Sequence, residues 1–345
     1  MKRRDFLKAA GAASLGLSGC GMKDENAKLV NIPKVSDAQA ALKKEGISKV
    51  ALIKAGSYDE DLVSLIESYA AKVDLPDLSN KRVVIKPNMV EFKPDRPITT
   101  NPRVLSAAIE VVKNMGAKEV VIAEGPGHMR DTEFLLDATG LGAAIKEAGC
   151  RFVDLNLDDL VKVPNVSGFN GLKHFYMPRT IIDADAVISL PKLKMHHWVG
   201  VTCSMKNLFG TVPGRKYGWP KNLLHIKGIR DSIIDLVHIV KPVFTLVDAI
   251  VAMEGDGPIN GTALETGFLA LGTDLAAVDA TCVRITSVDP HELSYIVLAG
   301  LVVGNIDEAK IEIIGESVES LKKPFAQPIT IKSKELLARA AHAGS

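Results

Sequence analysis

The sequence predicts an α/β fold, with a mostly parallel central sheet flanked by helices and length enough for two lobes. Short apolar runs of strand length recur along the chain, Ala186–Leu190 being the clearest. Between them lie stretches with apolar residues at helical spacing. The residues after these runs are Gly, Pro and charged side chains, as expected where parallel strands end at a ligand-bearing edge.

In chain order, Lys49–Lys54 reads as a strand. The next stretch places Leu62, Leu65, Ile66, Tyr69 and Val73 on one helical face, with Asp59 as the expected N-cap. Lys81–Ile85 is a strand. Pro102–Met115 is a helix closed by Gly116, with its proline at the first helical position, where the missing N–H costs nothing. Glu119–Ala123 is a strand, and Thr132–Ala148 is helical with a break between Gly140 and Gly142. Arg151–Asp154 is a strand, and Val161–Val163 pairs with His174–Met177 around a Gly168–Gly171 turn. After Ala186–Leu190 the chain meets Pro191, and Val199–Phe209 reads as a loop entering a short helix stopped by Gly210. Ile226–Val240 is helical, Val243–Val247 and Phe268–Leu271 are strands, Leu275–Ile285 and Glu292–Val302 are helices, and Ile311–Ile314 is the last strand. Such alternation builds βαβ units around a parallel sheet. The folded domain is expected over 47–316, after a tether at 21–46 and before a tail at 317–345.

The N-terminus reads MKRRDFLKAAGAASLGLSGC. Arg3-Arg4 ahead of Asp5–Lys8 looks like a twin-arginine export signal, and Ala9–Leu17 is too short to span a bilayer. Leu17-Ser18-Gly19-Cys20 looks like a lipobox, with Cys20 as the acylated residue. Residues 1–20 are therefore expected to be a signal, and the protein an exported, periplasmic or cell-surface lipoprotein anchored without a spanning helix. Cys150, Cys203 and Cys282 remain, scattered and without a C-x-x-C pair, so no built-in iron–sulfur cluster or disulfide framework is expected. A formal net charge of +1 and 5% aromatic residues argue against a nucleic-acid partner.

Five strand ends carry charged residues beside Gly or Pro, which implies a shared cleft. Its basic side would be Lys86, Lys192, Lys194 and Lys206, with Asn88 and Asn207 beside them, suited to a small phosphate or carboxylate. Its acidic side would be Glu124, Asp248, Glu254 and Asp256, with Asp274 as either a fifth carboxylate or a helix cap. Carboxylates alone suit Mg²⁺, Mn²⁺ or Ca²⁺, whereas adding His196 or His197 suits Zn²⁺, Fe²⁺ or Ni²⁺. Adjacent residues in an extended loop point opposite ways, so one of the two histidines is expected in the cleft, with His196 as base or ligand alongside Lys194 and Lys206. His225 is a second candidate, and Cys203 among lysines a reactive-thiol candidate. The dinucleotide fingerprint fails at Gly125–Arg130, Gly210–Lys216 lacks P-loop spacing, and no G-x-S-x-G elbow is present.

Several of these segments together resemble the domain-of-unknown-function 362 (DUF362) family. They are Lys86-Pro87-Asn88, Thr100-Asn101-Pro102, Glu124-Gly125, Pro191-Lys192-Leu193-Lys194 with His196, Lys206–Gly210, Asp248 with Glu254-Gly255 and Gly257-Pro258, and Gly272–Asp279. The resemblance covers roughly Ile47 to Gly315 and implies a fold and a site, with no assigned reaction. Some members of that family carry a ferredoxin-type module, which this chain lacks; a redox partner would be a separate protein. Relatives typically read Lys-Thr-His where this chain has Lys194-Met195-His196. A distant architectural likeness to nickel-dependent lactate racemases brings no motif that transfers their chemistry. The expectation is a metal-assisted or redox-linked enzyme acting on a small anion, the alternative being a solute-binding or scaffold lipoprotein.

Overall fold

The computed structural model describes residues 32–127 and 131–330. The expected export signal with Cys20, and the last fifteen residues, lie outside these. The strands are β1 (Ser48–Lys54), β2 (Arg82–Pro87), β3 (Glu119–Glu124), β4 (Arg151–Asp154), β5 (Leu160–Pro164), β6 (His174–Pro178), β7 (Ala186–Leu190), β8 (Lys192–His196), β9 (Gly200–Thr202), β10 (Phe244–Glu254), β11 (Thr262–Gly272) and β12 (Ile311–Gly315). Ten form one sheet whose main path runs β12-β1-β11-β10-β7-β2-β3-β4, while β5 and β6 make a separate antiparallel pair. Along that path β11 alone runs against its neighbours, so the sheet is mostly parallel, as the alternation of strands and helices predicts.

Successive strand residues face opposite sides, and two apolar layers result. Val84, Val121, Val187 and Val247 pack against α7 (Ile229–Val240), α8 (Leu275–Ile285) and α9 (Ser294–Val302), as numbered below. Val83, Ile85, Ile122 and Ile188 pack on the other face against α1 (Leu62–Ala70), α2 (Pro102–Asn114), α3 (Thr132–Ala138) and α4 (Leu141–Glu147). In chain order α5 (Ser204–Asn207) and α6 (Asn222–Lys227) come between the two helical groups, and both pack on the α7 side, Met205 and Leu224 joining that apolar layer.

Helix ends follow local chemistry, with corrections. Asp61, rather than Asp59, caps α1 by accepting the Ser64 N–H at 3.1 Å. Asn101 caps α2 ahead of its N1 proline. The helix expected over Ile226–Val240 is two, divided at Gly228, whose φ of 107° no ordinary side chain favours. Asp274 caps α8 through the Ala276 and Ala277 amides.

Two larger differences bear on the site. Lys192–His196 is a buried strand, not a loop. Pro191 breaks one strand into β7 and β8, and the long β10 pairs with both in turn, Phe244 with Ile188 and Asp248 with Lys192. The tail beyond residue 316 is packed as far as Thr330. Ala326 and Ile329 donate backbone N–H groups to Glu254 and Asp256 at 2.7 Å each, and Thr330 donates its hydroxyl to the His197 carbonyl at 2.6 Å. The segment before β1 is docked too, with Lys43 donating to the Gly300 carbonyl at 2.7 Å.

Candidate functional site

A pocket of about 230 Å³ opens at the carboxyl ends of β2, β3 and β8. Its polar lining comes from Asn88 after β2, Glu124 at the end of β3, Lys194 and His196 on β8 with His197 and Thr202 near them, Lys206 and Asn207 in α5, Lys221 and His225 at α6, and Asp256 and Asn260 after β10. The period of the strand explains the β8 contribution. Leu193 and Met195 enter the apolar core, so Lys192, Lys194 and His196 share the other face.

Beneath the pocket the polar groups are buried and paired. Lys86 Nζ is held by Glu124, by the Pro87 carbonyl at 2.7 Å and by Asn207 Oδ1 at 2.9 Å. Glu124 also accepts the Met89 and Gly125 N–H groups at 3.1 and 2.9 Å. Burial pulls the Lys86 ammonium down and pushes the Glu124 carboxyl up, each opposed by the other's charge. The two backbone donors favour the carboxylate, so the ion pair is the state this geometry supports. A Cβ at Gly210 would collide with both side chains, which is why glycine follows Phe209. Lys194 donates to Asn88 Oδ1 at 2.6 Å and to the Ile98 carbonyl at 2.8 Å, with no carboxylate partner among the described residues. Its pKa falls well below the ordinary lysine value through burial and then through Lys206, Lys86 and Lys192.

Three imidazoles line one wall. The Trp198 N–H donates to His196 Nδ1 at 3.1 Å, so the neutral ring carries its proton on Nε2 and offers a donor. Burial and the cations around it push the His196 pKa well down, which keeps it neutral. His197 and His225 have the opposite arrangement. Their Nδ1 atoms lie 2.7 and 3.0 Å from the carbonyls of Gly257 and Lys221, so Nδ1 carries the proton and Nε2 is an acceptor. The His196 and His197 rings stack at 5.0 Å, contrary to the expectation that one would turn away. The strand ends at His196, and His197 turns back because its N–H and Nδ1 both meet the Gly257 carbonyl.

Two pocket lysines sit near neutrality. Burial, with the Lys86 cation, lowers Lys206 to about 7, and its ammonium lies 3.9 Å from the centre of the Phe209 ring. Burial also lowers Lys221 to about 7, and it donates to Asn156 Oδ1 at 2.7 Å.

A family described as a domain of unknown function (DUF362) matches residues 83–284, which include every pocket group named above. The chain belongs to the DUF362 family. A relative, the thylakoid-associated protein sll1697 of Synechocystis sp., is 27% identical over 264 residues, covering 71% of this chain and 76% of its own. The lactate racemase apoprotein of Thermoanaerobacterium thermosaccharolyticum is similar at a TM-score of 0.43 and 15% identity over 72% of this chain. A Thermotoga maritima protein is similar at 0.40 and 17% over 67%. This chain spans 58% of the length of each of those two solved chains.

The expected DUF362 cleft is thus only partly assembled. Lys86, Asn88, Glu124, Lys194, His196, Lys206 and Asn207 come together. Lys192 and Asp248 do not join them, because they close on each other at 2.9 Å with Tyr58, whose hydroxyl lies 2.6 Å from Lys192 Nζ and 3.0 Å from Asp248. Asp248 also accepts the Asn101 N–H at 2.8 Å, which ties β10 to the start of α2. The four carboxylates expected around a metal are dispersed: Glu124 and Asp248 are in separate ion pairs, and Glu254 and Asp256 hold the C-terminal segment. Asp256 reaches the pocket rim. Among the described residues no group of three or more His, Cys, Asp and Glu side chains is placed to hold a metal ion. Asp274 is a cap, and the Cys203 thiol is buried and pushed well up, chiefly by burial, rather than activated. Sequence reasoning missed Lys221, Tyr58 and Trp198. Only the nearby His225 hinted at the first of these.

Lys192→Met is expected to destabilise the fold by about 3–5 kcal/mol in urea unfolding, because it leaves Asp248 as an unpaired buried charge. Adding Asp248→Asn should recover most of that loss, since the amide oxygen can still accept the Asn101 N–H while the amide NH2 faces the Tyr58 hydroxyl oxygen. Lys206→Met should instead stabilise the ligand-free protein by about 1 kcal/mol at pH 6 in thermal unfolding. A lysine lowered to about 7 penalises the fold while it is charged, so wild type gains stability as pH rises from about 7 towards 10.5, and the advantage of the variant should shrink over that range.

Proposed function

We propose that this DUF362 protein is exported, tethered to a membrane, and binds a small anion on which its pocket performs proton transfer. The observation that carries this reading is the pocket's charge balance. Lys194, Lys206 and Lys221 converge there with Lys86 beneath them, while of the two carboxylates in the lining Glu124 is already paired with Lys86 and Asp256 lies exposed at the rim, accepting the Ile329 N–H. A bound anion relieves the repulsion that these cations exert on one another and raises the depressed lysines. Phosphate and carboxylate both fit that demand. Lys206 and Lys221, near 7, can give or take a proton at neutral pH. His196 Nε2–H is a donor, and His197 and His225 offer acceptors. The pocket thus carries both proton donors and proton acceptors for a bound ligand.

The tether rests on Arg3-Arg4 and the Leu17–Cys20 lipobox. No helix of the described residues is long and apolar enough to cross a membrane. The name of the cyanobacterial relative, thylakoid-associated, agrees with life at a membrane surface.

Trp198 lies in the pocket wall, so its fluorescence reports binding. Titration with phosphate or propionate should show saturable binding, weakened roughly tenfold or more in Lys194→Met and Lys206→Met. Affinity should fall as pH rises from 6 to 8.5, because the ammonium forms are lost through about 7. Equal affinity in both variants, or no dependence on pH, would overturn the assignment. Cys20→Ala should release the protein from the membrane fraction on cell fractionation; retention would rule out the lipid anchor.

A further inference from the structure

We propose that Lys206 is an imine-forming residue whose ε-amine condenses with the carbonyl of a small 2-oxo acid, the acid's carboxylate being held by Lys194 and Lys221. This inference deepens the anion reading and rests on it. The distinguishing observation is how differently the pocket lysines are satisfied. Lys86 has three acceptors, Lys194 has two, and Lys221 has Asn156. Among the described residues Lys206 Nζ has no hydrogen-bond acceptor, and it lies over the face of the Phe209 ring. Lys206 is half-buried, so its amine is the pocket lysine left uncommitted to a protein acceptor and open to an incoming ligand.

Its surroundings favour the same form. Burial and the neighbouring Lys86 charge hold Lys206 at about 7, so near neutral pH about half the population carries the lone pair needed for attack. A desolvated lysine beside a second cation is the environment that activates amines towards carbonyls. Lys221, near 7 as well, has Asn156 on one N–H and two further N–H groups for a carboxylate when protonated. His196 presents Nε2–H on the same wall, a donor suited to the carbonyl oxygen.

The step balances without an oxidant or reductant. The Nζ lone pair forms a bond to the carbonyl carbon while the C=O π pair moves to oxygen and takes a proton. The nitrogen loses its protons, its lone pair forms C=N, and the C–O bond breaks to release one water. Protonated, the imine draws electrons from the adjacent methylene or methyl carbon and favours loss of a proton there, the C–H pair forming the C=C of an enamine as the C=N π pair moves to nitrogen. The substrate class is therefore a short 2-oxo acid.

The test treats the full-length protein with pyruvate and sodium borohydride, and reads adducts by peptide mass spectrometry. A single N-carboxyethyl group is expected on Lys206, formed roughly tenfold or more faster than on exposed lysines such as Lys227. Lys206→Arg should abolish it and Lys227→Arg should not. Propionate, which has the carboxylate but no carbonyl, should bind by Trp198 fluorescence and protect Lys206. If propionate binds and no adduct forms at Lys206, the imine falls and the anion site stands. If propionate does not bind and nothing is trapped, both fall. Labelling spread evenly over exposed lysines also overturns the proposal.

Discussion

The ion pair between Lys86 and Glu124 is the constraint on which the site depends. It joins the ends of two neighbouring parallel strands, and Asn207 and Gly210 from the turn after β9 close over it. An unpaired charge at that depth would cost several kcal/mol, so the pair fixes its neighbours as firmly as packing does. Asn207 accepts from Lys86 and from Asn88 Nδ2 at 3.1 Å, while its own amide donates to the Lys86 carbonyl at 3.1 Å. Asn88 in turn holds Lys194. One connected network thus runs from the β3 end to β8, and its satisfied members set the position of those that face the cavity.

A second pin, Lys192 with Asp248 and Tyr58, holds β8 against β10 and the start of α2. Together the two pins explain why a strand interrupted by a proline keeps its register. Thr100 completes the arrangement: it accepts from the Asn88 N–H at 2.9 Å and donates to the Leu190 carbonyl at 2.7 Å, joining the ends of β2 and β7. The motif residues of the DUF362 family are therefore of two kinds. Some build the frame, and a smaller set, Lys194, His196 and Lys206, faces the space the frame encloses.

The cavity wall also depends on the C-terminal segment. Glu254 and Asp256 accept its backbone amides, and Thr330 reaches the His197 carbonyl. His197 is thereby held from both sides, by Gly257 through its ring and by the tail through its backbone. Carboxylates that look like metal ligands in the sequence serve here as acceptors for a returning chain.

The sequence by itself determined the sheet, nearly every strand and helix, and the gathering of charge at strand ends, because hydrophobic periodicity and turn residues are local signals. Even β8 was written there, as the alternation Lys-Leu-Lys-Met-His, though polar residues on a strand buried on both sides read as a loop until their partners are seen. Which lysine meets which carboxylate was not local. Lys86 and Lys192 both look like anion ligands, and only the tertiary structure separates them from Lys194 and Lys206 by giving each its own carboxylate. Lys221 became part of the site through a fold that carries it back from a distant turn. Pairing decides function here because a buried charge is either neutralised by a neighbour across the sheet or left for a ligand, and that neighbour is chosen by packing between segments far apart in the chain.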